Sequence, residues 1–563
     1  MTLFCRPSRS SFLAISLLLV LVAVLQGCGG GSDTPDASTA VRGEEALASC
    51  PGADLAASKT LVYVATSGED SDSCGDKPAT ACASIAKGIA RCAVAGCAVV
   101  VQHGLYSTTA SINLRDAVSV HGSCRFGDEP ERYYRTVVAA APAAGMPAID
   151  GAGINSATEL SGIVVLGKNE TAAGEASVAM RVRASKGLGV AGITLVAGRG
   201  GDGAPGTGSN GEPGGAGQAP DTQNFFGIGG QACPSSPPLS GGNGGAGYGP
   251  NTFRLGKCLF DCDCSVDPPR QPVSQLAGQD AGNARGGANG GNGSFGGNCV
   301  GRSDIRPGQG TEGSSGEMGD CSTKGGTAAA LATGRFSSGR WLAVSGGQGG
   351  AGGTGSGGGG GGAGGFTTYV PIGQPVEIYP GYAGSGGGGG GCGAPGGQGG
   401  QQGGASIPLV LIDATVSGLA TGAALVPGQG GNGGAGGPGG SGGPGGNGAA
   451  LFRGVLVERK YGLVPITMPG WGNAGGAGGP GGASSGGAGG NGGPAFGIAL
   501  LGNSPDPGPM SAYAGTPGAP GKRGGGQANP AAPGNVNSQC RSADGQDGLP
   551  GIAAPLVRYT EAS

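Results

Sequence analysis

A glycine rhythm constrains this chain more than any other feature. From Gly430 the sequence repeats Gly-Gly-X, with Asn432, Ala435, Pro438, Ser441, Pro444 and Asn447 in the third slot. Period three fits neither the α-helix nor the β-strand. It fits polyproline II, with three residues per turn and a rise of about 3.1 Å. At that rise residues 428–448 reach roughly 65 Å, with bare glycine backbone on two of three faces. Such a helix has no internal hydrogen bonds, so each N–H must find a neighbour or water. Parallel packing of several glycine helices, as in polyglycine II, satisfies them. Collagen needs three strictly phased chains and abundant proline; here the phase breaks at Ser484-Ser485 and every block is short. A disordered glycine linker is the remaining alternative, and the regular phase argues against it.

The blocks alternate with apolar segments. Glycine supplies 137 of 563 residues, almost all after Gly198. Leu342-Ala343-Val344 precedes Gly346 to Gly365, and Ile407 to Ile412 with Ala423 to Val426 precede Gly428 to Gly448. Leu451 to Val457 and Leu463 to Met468 precede Gly470 to Gly493, and Phe496 to Leu501 precedes a Pro/Gly run ending near Gly526. This repeated order of strand, link and glycine block reads as a solenoid, with strands as rungs and glycine blocks as loops leaving one side. Charged residues make up 12% of the chain and the net charge is −3. With no long basic stretch, nucleic acid is excluded as an expected partner. Valine-rich runs set the chain apart from disordered sequences.

Upstream, Leu61-Val62-Tyr63-Val64 reads as a strand, and Ala83, Ile85, Ala86, Ile89 and Ala90 fall at helical spacing within Pro78 to Cys92. Strands follow at Ala98 to Gln102, Ile112 to Leu114 and Val118 to Gly122, then at Leu160 to Leu166, Val178 to Val182 and Gly189 to Val196. The set Tyr63, Val64, Gly68, Asp70, Val99, Val101, Gly104, Tyr106, Ile112, Leu114, Asp116, Val118, Val120 and Gly122 resembles the N-terminal cap of pectin-lyase-like proteins. The likeness covers roughly Lys59 to Cys124. It implies an all-β fold, a right-handed parallel β-helix whose open end is covered by the helix at Pro78–Cys92. The glycine blocks resemble the PGRS repeats of mycobacterial surface proteins and of some myxobacterial lipoproteins.

At the N-terminus, Arg6 and Arg9 precede an apolar run from Phe12 to Leu25. The run is shorter than the roughly 20 residues a membrane span needs and matches a signal peptide. It ends in Leu25-Gln26-Gly27-Cys28, which resembles a bacterial lipobox. The resemblance implies cleavage between Gly27 and Cys28, lipid on the Cys28 thiol, and a membrane partner reached through that lipid. Gly29 stands where an inner-membrane retention signal would place Asp, so the expected home is the outer membrane, on either face. The expected organisation is a signal peptide over 1–27 and a polar tether over 28–58. The cap and first rungs then occupy 59–197, and rungs interleaved with glycine blocks occupy 198–563. Of 16 cysteines, Cys5 leaves with the signal and Cys28 takes lipid. The remaining fourteen enter an oxidising compartment and are expected in disulfides, with Cys74–Cys82 and Cys92–Cys97 as short-range pairs. Cys258, Cys262 and Cys264 lack paired metal spacing, so no metal is expected.

No catalytic constellation stands out. Glycosidases need neighbouring carboxylates, and Asp150, Glu159, Glu170, Glu175, Asp202 and Glu212 pair with no basic residue in a recognisable pattern. Arg181 and Arg183 flank Val182 with period two, which places them on the outer face of a strand as solvated charges. His121, just before Gly122, reads as a surface turn position. Asp202 and Asp544 to Gly548 fail the calcium nonapeptide spacing, and Gly521-Lys522-Arg523 fails the phosphate-loop test. The expectation is a structural or adhesive surface lipoprotein without cofactor. Its expected partners are matrix polysaccharide, another cell, or copies of itself. A polysaccharide lyase or hydrolase is the first alternative and an ice-binding polyglycine bundle the second; the mixed third-slot residues disfavour the latter.

Overall fold

The computed structural model describes residues 48–50, 55, 58, 60–127, 135–220, 227–232, 241, 243, 309–364, 367–369, 377–379, 382–451, 471–508, 513–529 and 540–559. Within the unit Ala48–Ser563, three large sheets carry most of the strands. The first orders Thr60–Val64, Cys97–Gln102, Val118–Phe126, Thr158–Ser161, Leu188–Ala191 and Val416–Ser417 in parallel, with Ala48–Ser49 antiparallel on Val118–Phe126. The second stacks Gly104–Thr108, Thr136–Ala140, Ile163–Leu166, Ile193–Val196 and Ala423–Val426. The third stacks Ile112–Leu114, Pro147–Ala152, Ser177–Arg183, Ser406–Ile412, Ala495–Leu501 and Ala553–Tyr559. Valine and isoleucine dominate because each strand turns alternate side chains inward. Val99, Val120, Val138, Ile149, Leu160, Leu195 and Leu411 meet in one core shared by all three sheets.

Two expectations about this architecture are corrected. The expected right-handed β-helix, a closed solenoid through the chain, is replaced by three mostly parallel sheets with few helices. The third sheet is twice entered only after a long glycine passage, across residues 197–405 and 427–494. It then continues with Ala495–Leu501 and Ala553–Tyr559 after the first and second sheets have ended at Val416–Ser417 and Ala423–Val426. The segment around Leu342 is no rung. Arg335–Ser337 and Arg340–Leu342 form an antiparallel hairpin, and its Phe336 and Trp341 pack with Val178, Ile407, Val410 and Phe496 in a second cluster. The N-terminal helix is also shorter than its pattern. It runs over Ile85–Arg91 behind a 3-10 turn at Pro78–Thr80, and Ser84 Oγ accepts the Lys87 N–H as its cap. Of the segments Leu451 to Val457 and Leu463 to Met468, all but Leu451 lie outside the described residues.

Nor are the glycine blocks loops leaving one side. They hydrogen-bond to one another at every third residue. Segment 428–449 gives the N–H groups of Gly434, Gly437, Gly443 and Gly446 to the carbonyls of Gln401, Gln398, Cys392 and Gly389. Those of Gly430, Gly433 and Gly436 go to Thr516, Ala519 and Lys522. Segment 472–493 is enclosed by 310–327, 346–364, 382–405, 428–449, 515–527 and 542–551, with backbone bonds to each. Neighbours run both ways. Residues 400 and 403 pair with 488 and 491 in parallel, whereas 434 and 437 pair with 401 and 398 antiparallel. The backbones approach so closely that a Cβ at Gly434 would overlap the carbonyl of Ala204, and one at Gly490 that of Gln401.

This lattice grows directly out of the sheets. Ile193–Val196 pairs in parallel with Ala423–Val426. The ladder then continues as Ala197 N–H to Val426 O, Gly200 to Gln429, Gly203 to Asn432 and Gly206 to Ala435. At the third sheet, Ser406 N–H to Pro494 O is preceded at the same offset by Gly403 to Asn491, Gly400 to Ala488 and Gly397 to Ser485. Ser406 Oγ sits at the junction, donating to Gly198 O at 2.7 Å and accepting from Gly428 N at 2.8 Å.

Substitution in the lattice is therefore expected to depend on slot. Gly434→Ala forces a Cβ into backbone and should cost about 1–3 kcal/mol, the usual range for overpacking. Ala435→Ser, one residue on and exposed, should change stability by less than about 0.5 kcal/mol. Thermal or denaturant unfolding of the two variants beside the parent checks this; equal effects would contradict the slot assignment.

Candidate functional surface

Among the residues expected to form sites, Gly27 and Cys28 lie outside the described residues, as do Cys258, Cys262 and Cys264. Disulfides join Cys74 to Cys82, Cys92 to Cys97, Cys50 to Cys124 and Cys321 to Cys540. The last two span 74 and 219 residues, and sequence spacing gives no signal for them. Asp70 lies close to the sulfurs of Cys74 and Cys82. Those sulfurs are bonded to each other, which removes the thiolates a metal would need.

The acidic residues serve the architecture. Asp150 is buried and bonded to Arg181 Nε at 3.1 Å and Nη2 at 2.9 Å, with Arg183 Nη2 at 3.1 Å. Both arginines do face outward from the third sheet, but Arg181 is only 7% exposed. The reading of two solvated charges is corrected by the hairpin turn, whose Gly339 carbonyl accepts from Arg181 Nη1 at 3.2 Å. Glu170 is buried against Lys168 at 3.3 Å and accepts the Gly145 N–H. Glu175 holds Arg340 at 2.8 Å, and Asp202 pairs with Arg199. Asp150, Glu170, Glu175 and Asp202 thus each meet a cation.

Two further carboxylates pin turns. Asp70 accepts from Ala83 N, Ser84 N and Ser84 Oγ. Partial burial raises its pKa, but the Ser84 and Ala83 hydrogen bonds and the Lys87 charge outweigh that and hold it below the usual carboxylate range. Asp116 accepts from Asn155 N, Ser156 N and Ser156 Oγ, and these bonds lower its pKa likewise. A cavity of about 320 Å³ at the last turn of the first sheet is lined by Leu411, Val416, Leu419, Thr421, Asp506 and neighbours. Its one carboxylate is occupied by the Gly508 N–H at 3.0 Å. Neither this cavity nor the one lined by Thr66, Ala83, Ser84, Ile85, Leu105 and Tyr106 holds a pair of carboxylates.

His121 is another correction. It lies within Val118–Phe126, 4% exposed, and shares a 2.8 Å hydrogen bond through Nδ1 with Ser161 Oγ on the next strand. The glycine after it adjoins Ile163 and Gly162 so tightly that no Cβ fits, so the backbone continues as strand where a turn was read. Burial lowers the His121 pKa, and Glu159 only partly opposes this.

What the fold does present outward is the face of the lattice. Segments 198–218, 428–449 and 515–527 lie side by side and parallel: Gly203, Gly206, Gly211 and Gly214 donate to Asn432, Ala435, Ser441 and Pro444, and Gly433 and Gly436 donate to Ala519 and Lys522. Along 428–449 the third-slot side chains repeat every three residues, about 9.3 Å, while 198–218 loses one residue of phase between Gly206 and Gly211. Ala435, Pro438, Pro444 and Asn447 are exposed, as are Asp202, Pro205 and Glu212 beside them and Pro520 and Lys522 beyond. The central row, Ala435, Pro438, Pro444 and Asn447, is uncharged and without aromatic side chains, with charges at Asp202, Glu212 and Lys522 beside it. No family model, no curated protein and no solved structure matches the chain.

The buried histidine sets a pH dependence. With the folded pKa below the ordinary value near 6.5, both states are neutral above it. As pH falls, the unfolded chain takes up a proton first and the folded state loses stability. Melting temperature should fall between about pH 7 and about pH 5, and the fall should be smaller in His121→Asn. Equal slopes in the two proteins would rule out this origin.

Proposed function

We propose that this protein is a cell-envelope lipoprotein with a structural, surface-presenting role: exported, cleaved before Cys28, and held on the outer membrane by acyl chains. Each buried CH₂ contributes roughly 0.8 kcal/mol, so two or more chains give stable anchoring. The observation that carries the structural reading is the lattice. It is a hydrogen-bonded array of glycine segments in continuous register with the sheets, while Asp70, Asp116, Asp150, Glu170 and Glu175 are engaged in ion pairs and turns. A tether before the first strand would place the array away from the bilayer, its flat face toward matrix polysaccharide or a neighbouring cell.

Two measurements test the two halves. A clickable fatty acid fed to expressing cells should label the parent and not Cys28→Ser, with the parent in the outer-membrane fraction; equal labelling or a soluble parent sinks the anchor. The soluble Cys28→Ser chain, incubated with bacterial and plant polysaccharides, should release no reducing ends and no unsaturated uronide. Turnover on any of them would sink the structural role in favour of the lyase or hydrolase.

A further inference from the structure

The position of glycine along each block follows the number of lattice neighbours. Where backbones crowd most closely the sequence runs to unbroken glycine, as at Gly357 to Gly362 and Gly386 to Gly391, which are buried throughout, while a few small side chains such as Ser484, Ser485 and Ala488 are also held inside. Where one direction is open, the third slot carries a side chain. Segment 472–493 contains both cases. The N–H groups of Gly475, Gly478, Gly481, Ser484, Gly487, Gly490 and Gly493 go to 428–449, and those of Gly476, Gly479, Gly482, Ser485 and Ala488 go to 346–364, without a break in period. The remaining direction holds Ala474, Ala477, Pro480 and Ala483, then changes to Gly486, Gly489 and Gly492. These glycines donate to Ala543, Gln546 and Leu549 of the segment that joins there. The Ser484-Ser485 interruption is therefore a change of neighbour, not a fault in the helix.

By this rule an open direction is a place where the lattice could take another segment, and the outward amides decide whether it does. In 428–449 four of the six outward positions, Asn432, Pro438, Ser441 and Pro444, are closed. The Asn432 N–H is taken by Asp202 Oδ1 at 2.7 Å and the Ser441 N–H by Asn210 Oδ1 at 3.0 Å. Pro438 and Pro444 have no N–H to offer. In 515–527 the same device recurs: Pro517 and Pro520 lack the donor, while the Arg523 N–H goes to Asp547 Oδ1 at 2.9 Å and the Gly526 N–H to Asp544 Oδ1 at 2.8 Å. The Ala519 N–H is accepted by Asn432 Oδ1 at 3.1 Å. Proline and captured amides protect sheet edges against pairing in the same way.

We propose that these side chains terminate the lattice, and that the partner they exclude is the glycine-rich segment of a second copy of this chain. The outward face is a latent self-association site held shut by Pro438, Ser441 and Pro444 in the central row and by the carboxylates and amides around it. This inference concerns the soluble body alone and stands or falls apart from the membrane anchor.

The test uses the full chain carrying Cys28→Ser. Pro438→Gly, Ser441→Gly and Pro444→Gly together convert residues 436–446 into unbroken glycine, the composition found where backbones crowd most closely. Sedimentation over a hundredfold concentration range should show the triple variant gaining mass and its Cys28→Ser parent unchanged. A milder variant, Pro438→Ala with Pro444→Ala, restores only the two amides; it should associate more weakly and keeps the proposal testable if the triple variant fails to fold. A folded variant that sediments as its parent does at every concentration would overturn the proposal. So would a parent that self-associates and is made monomeric by Ala435→Arg on the same face.

Discussion

The structure depends on one requirement: every amide in a helix that cannot bond to itself must be met from outside. A strand meets it with two neighbours, one on each side. A three-residue glycine helix points its amides in three directions, so it is satisfied only inside a bundle. The cost of that arrangement is steric. Neighbouring backbones come so close that glycine is required at most contacts, as the overlap of a Cβ at Gly434 with Ala204 shows. Glycine content here is not looseness. It is the imprint of close backbone contact, and the conformational entropy lost by so many glycines is offset by hydrogen bonds in several directions.

Much of this was legible in the sequence, because period and composition are local. The three-residue phase, the apolar strands at Cys97–Gln102, Ser177–Arg183 and Ala495–Leu501, and the short-range cysteine spacings all leave signals within a few residues. What the sequence could not display is partnership across distance. Arg181 reads as a surface charge until a hairpin 158 residues away closes over it. His121 reads as a turn because a glycine follows, yet that glycine is there for the close approach of Gly162 on the next strand. The closed solenoid fails for a related reason. Strand patterns repeat along the chain without saying which sheet each strand joins, and Ala553–Tyr559 adds to the third sheet after the other two have stopped.

The polar residues illustrate the same limit. Asp70 and Asp116 belong to a pattern that resembles a family cap, which says nothing of their contacts. Each proves to be a clamp that takes two backbone N–H groups and a serine hydroxyl from a turn. In the sequence Asp202 and Asp544 to Gly548 only fail a calcium-binding spacing, and Asn432 is one third-slot residue among several. Asp202, Asn210, Asn432, Asp544 and Asp547 instead finish backbone hydrogen bonding at the lattice boundary. An exposed acid in such a protein is poor evidence of a catalytic role, because the boundary alone demands acceptors at regular intervals.

Register explains how so uniform a sequence finds one arrangement. A run of Gly-Gly-X can slip by three residues against its neighbour with little change in contacts, so the lattice cannot set its own alignment. The sheets can, because a one-residue slip would turn Leu409 and Leu411 out of the core. Pairing of Ser406–Ile412 with Ala495–Leu501 fixes the alignment. The same offset then runs backward through Gly403, Gly400, Gly397, Ala394, Gly391 and Gly388 to the carbonyls of Asn491, Ala488, Ser485, Gly482, Gly479 and Gly476. The apolar strands are thus short because they act as alignment keys, and the glycine segments are long because, once aligned, each added turn repeats the same bonds.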